Sequence, residues 1–220
     1  MANAVVFDLD GTLVDSAPDL AAATNHVLAA HGRRPVSLDE VRAMVGRGAR
    51  KLIERGFAAT GEAVDMARMD DLYRLFIDHY RANIDRGTRP FEGTLDVLEQ
   101  CRTRGLKVGI CTNKTESLSV LLIERLGLTK AFGAIVGADT IGIAKPDPAP
   151  YRETLARLEA TGRSVMVGDS ETDILTARAA GVPVIAVTFG YTDKPVETFA
   201  PDRLASSMGE VWRHIEEELL

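Results

Sequence analysis

The 220-residue chain has two cysteines, Cys101 and Cys111. Two thiols cannot build a disulfide framework, and their spacing is neither that of a zinc site nor that of a redox pair. The expectation is two reduced, buried thiols in a cytoplasmic protein. Long apolar runs are missing too: none approaches the roughly 18–20 residues that cross a bilayer. The opening Met1-Ala2-Asn3-Ala4 lacks a basic stretch followed by an apolar one, so no signal peptide is expected. Basic charge is short, with 26 Lys and Arg against 32 Asp and Glu and a net charge of −6. That argues against a nucleic-acid partner, which needs a basic face to replace phosphate counterions. There is no internal repeat or low-complexity tract. What is present, 45% hydrophobic and 26% charged residues, buries a core unaided and excludes disorder of the whole chain.

Short apolar runs alternate with helical patterns. The runs Ala4–Phe7, Lys107–Cys111, Ala134–Gly137, Ser164–Gly168 and Val184–Val187 have the length and near-continuous apolarity of buried parallel strands. Apolar stripes at helical spacing fill 93–104, 115–126, 151–160 and 171–180, and Gly105, Gly127, Gly162 and Gly181 follow them as left-handed stops. Strand–helix–strand repetition predicts an α/β fold with a parallel sheet and right-handed crossovers.

One interval breaks this rhythm. About 100 residues separate the first two strands, too many for one crossover. Within them 18–31, 37–45, 49–58 and 65–84 read as helices. Ser37-Leu38-Asp39-Glu40 is a capping box, and Met69, Leu72, Phe76 and Tyr80 form one stripe. The division is therefore an all-helical insert at 16–87 within a core made of 1–15 and 88–220. The insert carries 11 basic and 10 acidic residues, the core 15 basic and 22 acidic. Two such different surfaces suit a lid over a site.

Acidic residues gather where strands end. After Val5-Val6-Phe7 come Asp8-Leu9-Asp10-Gly11-Thr12, and alternation along an extended segment lets Asp8 and Asp10 face one way. The fourth run ends in Gly168-Asp169-Ser170-Glu171-Thr172-Asp173 and the second in Cys111-Thr112-Asn113-Lys114. These are carboxyl ends of strands, where open parallel sheets bind ligands. Carboxylates collected there repel one another unless Mg²⁺, a lysine or both sit among them.

Taken in order, Asp8-Leu9-Asp10-Gly11-Thr12-Leu13, Thr112, Lys145 in Lys145-Pro146-Asp147-Pro148, and Gly168–Asp173 resemble the four motifs of the haloacid dehalogenase superfamily of phosphatases, and the resemblance spans the chain. It implies a Rossmann-like sheet of order 5-4-1-2-3 flanked by helices, with an inserted helical cap. It also implies Mg²⁺-dependent hydrolysis of a small phosphorylated metabolite through an aspartyl phosphate. Asp8 is then the nucleophile and Asp10 the general acid and base. Thr112, the backbone N–H of Asn113, and Lys145 hold the transferring phosphoryl group. Mg²⁺ sits on Asp8, Asp169 and the carbonyl of Asp10, with Asp173 orienting its waters.

Within the superfamily, the stretch from Leu13-Val14-Asp15-Ser16 through Phe189-Gly190-Tyr191 resembles phosphoglycolate phosphatases. Substrate choice falls to the cap, where Val45-Gly46-Arg47-Gly48-Ala49-Arg50-Lys51 is a basic, Gly-hinged turn. Arg47 is the candidate for gripping a substrate carboxylate, with Arg50 and Lys51 as partners, because a guanidinium holds a carboxylate through two hydrogen bonds. An ordinary solvated interhelical loop is the plainer alternative. A phosphomutase, or a phosphatase of sugar phosphates or pyrophosphate, shares the same core motifs. A metal-free dehalogenase would dispense with Asp10 and Asp169, and a non-catalytic phosphate-binding regulator with Asp8 or Asp10. Oligomeric state is not legible.

Overall fold

The computed structural model describes residues 2–192 and 194–220; Met1 and Asp193 lie outside them. The five apolar runs become strands β1 (Ala4–Phe7), β4 (Lys107–Cys111), β5 (Ala134–Val136), β6 (Ser164–Gly168) and β7 (Val184–Val187). They lie in the expected order, with a sixth strand, β8 (Arg203–Ala205), added beside β7, so that the sheet reads β5-β4-β1-β6-β7-β8. Every neighbouring pair is parallel. Two further strands, β2 (Val14–Asp15) and β3 (Arg89–Pro90), pair antiparallel apart from this sheet.

Alternation along the strands builds a core on each face. From β1, Val5 and Phe7 join a cluster with Val97, Leu98 and Cys101 of α5 (Thr94–Thr103) and Val211 and Ile215 of α9 (Met208–Leu219). Val6 joins the opposite cluster with Tyr151 of α7 (Ala149–Arg157) and Ile174 and Ala177 of α8 (Glu171–Ala180). Cys101 and Cys111 fall in different clusters, both buried and unpaired, and burial pushes each thiol up to about 12. Helix α6 (Glu116–Arg125) follows β4.

Four helices stand between β2 and β3: α1 (Ala17–Ala30), α2 (Leu38–Arg42), α3 (Ala49–Thr60) and α4 (Met69–Ala82). The Ser37 capping box forms, with Glu40 N donating to Ser37 Oγ at 3.1 Å and Ser37 N to Glu40 Oε2 at 2.7 Å. The helix expected over 65–84 opens instead with a 3₁₀ turn, Met66–Arg68, capped by Asp65. Pairing of β2 with β3 lays the outgoing and returning chain side by side where the helices meet the sheet. The buried Asp19 carboxylate locks that crossing, accepting from the N–H groups of Gly87 and Thr88 at 2.8 Å and the Thr88 hydroxyl at 2.7 Å.

One helix stop differs from expectation. Gly105, Gly127 and Gly181 have positive φ, but after α7 Glu159 takes that position, at φ 50°. Gly162 instead packs against Ala2 and Asn3, leaving no room for a Cβ.

Candidate active site

The carboxyl ends of β1, β4 and β6 open into a cavity of about 530 Å³ roofed by α3, α4 and the 45–48 loop. Asp8 continues the β1 ladder, its N–H donating to Val167 O at 2.8 Å, and its side chain is buried. Asp8, Asp169 and Asp173 bring one carboxylate oxygen each within 4.8 Å of one another. Asp169 is held by the Thr12 hydroxyl on Oδ1 at 3.1 Å and by the Tyr191 N–H on Oδ2 at 2.6 Å. The backbone crowds in around it. A Cβ on Gly11, itself at φ +86°, would lie 2.3 Å from Asp169 Oδ2, and one on Gly190 would lie 2.2 Å from Asp169 Cβ. Glycine is required at both places.

Asp173 is already saturated. Its Oδ2 caps α8, accepting from the N–H groups of Asp169 and Ser170 and from the Ser170 hydroxyl, while its Oδ1 accepts from Lys145 Nζ at 2.6 Å. Asp8 differs. Lys145 Nζ lies 3.0 Å from Asp8 Oδ1 as an ion pair, yet that buried oxygen has no hydrogen-bond partner. Burial pushes the Asp8 carboxyl up to about 6, with Asp173 adding to the rise and Lys145 opposing it. Burial, then Asp173 and Asp8, drives Asp169 well above the ordinary carboxylate range. For Lys145 burial works against the ammonium, but Asp173 and Asp8 outweigh it and its pKa rises. A buried cluster of carboxylate oxygens, one of them without a hydrogen-bond partner, fits a hard, oxygen-preferring divalent cation.

The pKa shifts predict a stability profile. A carboxyl raised by folding binds more protons folded than unfolded, so stability falls as pH climbs from about 4 through about 6. The shift on Asp8 alone is worth about 3 kcal/mol. Metal-free protein is expected to lose Tm over that interval, and a divalent cation to restore it only above pH 6. Calorimetry with and without chelator checks this; a cation-induced gain in Tm that is equal at pH 4.5 and 7.5 would contradict it.

Thr112 is buried, its N–H donating to Val136 O and its Oγ1 accepting from Lys114 N at 3.2 Å. It is not the cap of α6, a place taken by Thr115. The Asn113 side chain ties three loops, with Oδ1 accepting from Lys145 N and Nδ2 donating to Lys145 O and to Gly46 O. Arg47 borders the cavity with its side chain 53% exposed, and Arg47 Nη2 lies 3.4 Å from Glu171 Oε2. Arg50 pairs with Asp70 and lies over the Tyr73 ring, and Lys51 pairs with Glu54.

Asp10 also borders the cavity, and three of its neighbours escape sequence reasoning. Lys114 Nζ contacts both Asp10 oxygens, at 2.9 and 2.8 Å, and the Ser16 hydroxyl donates to Asp10 Oδ1 at 2.6 Å. The Tyr80 ring of α4 lies 4.7 Å from Lys114 Nζ. The available signal is position: Lys114 directly follows the strand-end Thr112-Asn113.

The model of the haloacid dehalogenase-like hydrolase family matches residues 5–187. A phosphoglycolate phosphatase of Mesorhizobium japonicum is 46% identical over 217 residues, covering 98% of this chain and 96% of its own. One of Agrobacterium fabrum is 48% identical over 201 residues, covering 90% and 85%. Among solved structures, a Haemophilus somnus protein described as a predicted phosphoglycolate phosphatase superposes with a TM-score of 0.90 at 26% identity, covering 97% of both chains.

Proposed function

We propose that this chain, which belongs to the haloacid dehalogenase-like hydrolase family, hydrolyses 2-phosphoglycolate to glycolate and phosphate through an aspartyl phosphate on Asp8. It is a phosphatase acting on a small phosphorylated substrate, and the identity of that substrate rests on what its relatives are named. The observation that carries the chemistry is the buried Asp8 carboxylate, with one oxygen free of hydrogen bonds, facing the same cavity as Lys145, Thr112 and Asp10.

Asp8, Asp169 and the Asp10 carbonyl would hold Mg²⁺, an ion that favours few protein carboxylates plus substrate phosphate. When bound, it offsets the repulsion between an anionic nucleophile and an anionic phosphoryl group. An Asp8 oxygen attacks phosphorus as the bond to the leaving oxygen breaks. Asp10 gives that oxygen its proton, and the alcohol leaves. Asp10 then takes a proton from the water that attacks phosphorus, freeing Asp8 and releasing phosphate. The Thr112 hydroxyl and Asn113 N–H steady the phosphoryl oxygens, and Lys145 neutralises their charge. Asp173 acts in this scheme by fixing Lys145 and the Asp169 loop. The Asn113–Gly46 contact ties the roof to the sheet side and helps exclude water.

Asp10→Asn is expected to bind substrate normally and lower kcat by roughly 10²–10⁴-fold; full kcat in this variant would remove Asp10 from the acid–base role. The substrate assignment is tested by ranking kcat/KM over a panel of phosphorylated metabolites with Mg²⁺. A sugar phosphate or pyrophosphate leading that ranking would replace phosphoglycolate. No described helix is long and apolar enough to cross a membrane, and two buried unpaired thiols suit the reducing cytoplasm we assign the protein to.

A further inference from the structure

We propose that Lys114 and Tyr80 form the subsite for the substrate's carboxylate, a role that charge and position in the sequence suggest for Arg47. The inference rests on the phosphoglycolate reading and names the residues that would make it specific. In that substrate one methylene separates the leaving oxygen from the carboxylate. Any pose that lets Asp10 protonate the leaving oxygen therefore brings the carboxylate close to Asp10, which is left negatively charged once that proton has gone. A cation must stand between them, desolvated and within the cavity.

Lys114 meets these conditions. Its side chain is 5% exposed and borders the cavity. An ammonium has three N–H donors. Two are accounted for by the oxygens of Asp10. Beyond them, Lys114 Nζ lies over the Tyr80 ring, 4.7 Å from its centroid, with Tyr80 as its remaining polar neighbour. Tyr80 borders the same cavity from the roof, and its hydroxyl is buried with no hydrogen-bond partner. A buried unpaired hydroxyl is costly unless something else satisfies it. The Lys114 ammonium from the sheet side and the Tyr80 O–H from the roof are the two donors a carboxylate needs. They converge only when the roof is closed, so recognition of the carboxylate and exclusion of water become one event. Arg47, by contrast, is half exposed and already paired with Glu171.

The test compares kcat/KM for 2-phosphoglycolate with that for ethyl phosphate, which has a methyl group in place of the carboxylate, across the full-length enzyme and its variants. Lys114→Met is expected to lower the ratio of the two by roughly 10–100-fold, mostly through KM for phosphoglycolate, and Lys114→Arg to keep most of it. Tyr80→Phe is expected to lower the ratio by about 3–10-fold. It removes only a hydroxyl without a partner, so it folds normally and decides the matter should Lys114→Met fail to fold. Arg47→Ala is expected to leave the ratio unchanged. Equal losses on both substrates in Lys114→Met would reduce Lys114 to a residue that positions Asp10, and a ratio that collapses in Arg47→Ala would return the carboxylate to Arg47. Either result overturns the proposal while leaving the phosphoglycolate reading intact. No preference for phosphoglycolate in the unmodified enzyme would overturn the reading itself, and this subsite with it.

Discussion

Asp8→Asn is expected to lower kcat by at least about 10⁴-fold, because the amide is a poor nucleophile and no other described carboxylate at the site has a buried oxygen without a hydrogen-bond partner. Activity and stability should part in this variant. Asparagine occupies the same volume, and its backbone N–H can still donate to Val167 O. It also removes one of three carboxylates packed within 4.8 Å, the one whose burial pushes it up to about 6. With chelator at pH 7.5, Tm should therefore be equal to or above that of the unmodified protein. Turnover within tenfold of the original would place the nucleophile elsewhere. Lost turnover with a large fall in Tm would mean that Asp8 serves the fold.

Lys145→Met is expected to damage both properties. Lys145 is 2% exposed between Asp8 at 3.0 Å and Asp173 at 2.6 Å. Removing it leaves three buried carboxylates without their cation, and breaking a buried pair costs about 3–5 kcal/mol. For a chain of this length that is roughly a 10 °C loss of Tm. The sign with pH follows from the raised carboxyl pKa values. Protonating Asp8 and Asp169 relieves the repulsion, so the deficit should be large at pH 8 and shrink towards pH 5. kcat/KM should fall by at least about 10²-fold, since the phosphoryl group loses its charge partner. An unchanged Tm at pH 8, measured by calorimetry, would show that Lys145 is not held by these carboxylates.

Much of this arrangement is legible without coordinates. Val5-Val6-Phe7 and Val165-Met166-Val167 read as buried parallel strands because both of their faces are covered, and Asp8 and Asp169 then mark their carboxyl ends. Strand β8 is not legible: Arg203-Leu204-Ala205 is three residues at the sheet edge, two of them exposed, with no period to detect. The β2–β3 pair is two residues long on each side and depends on contacts across more than 70 residues of chain.

At the site, Asp8, Thr112 and Asp169 directly follow β1, β4 and β6 and can be read from position. The surroundings of Asp10 cannot. Tyr80 has the spacing of a core stripe and is indeed buried, but its partnerless hydroxyl is a property of the packed roof. Lys114 has the composition of a solvated lysine until the fold places Asp10 beside it. Arg47 shows the reverse: a basic, Gly-flanked loop in sequence, and a pair with Glu171 at the rim in the structure. Asp19 gives no local sign either, because its partners Gly87 and Thr88 arrive from the far end of the helical insert.

The covalent intermediate is the centre of the account, and mass spectrometry of acid-quenched protein tests it most directly. The unmodified enzyme, mixed with 2-phosphoglycolate and Mg²⁺ and quenched within the first turnover, should carry one phosphoryl group on the peptide containing Asp8. That label should be lost on treatment with hydroxylamine and absent when Asp8 is replaced by asparagine. Glycolate released in a first-turnover burst with no phosphoryl group on that peptide, or with the label on another residue, would contradict nucleophilic attack by Asp8.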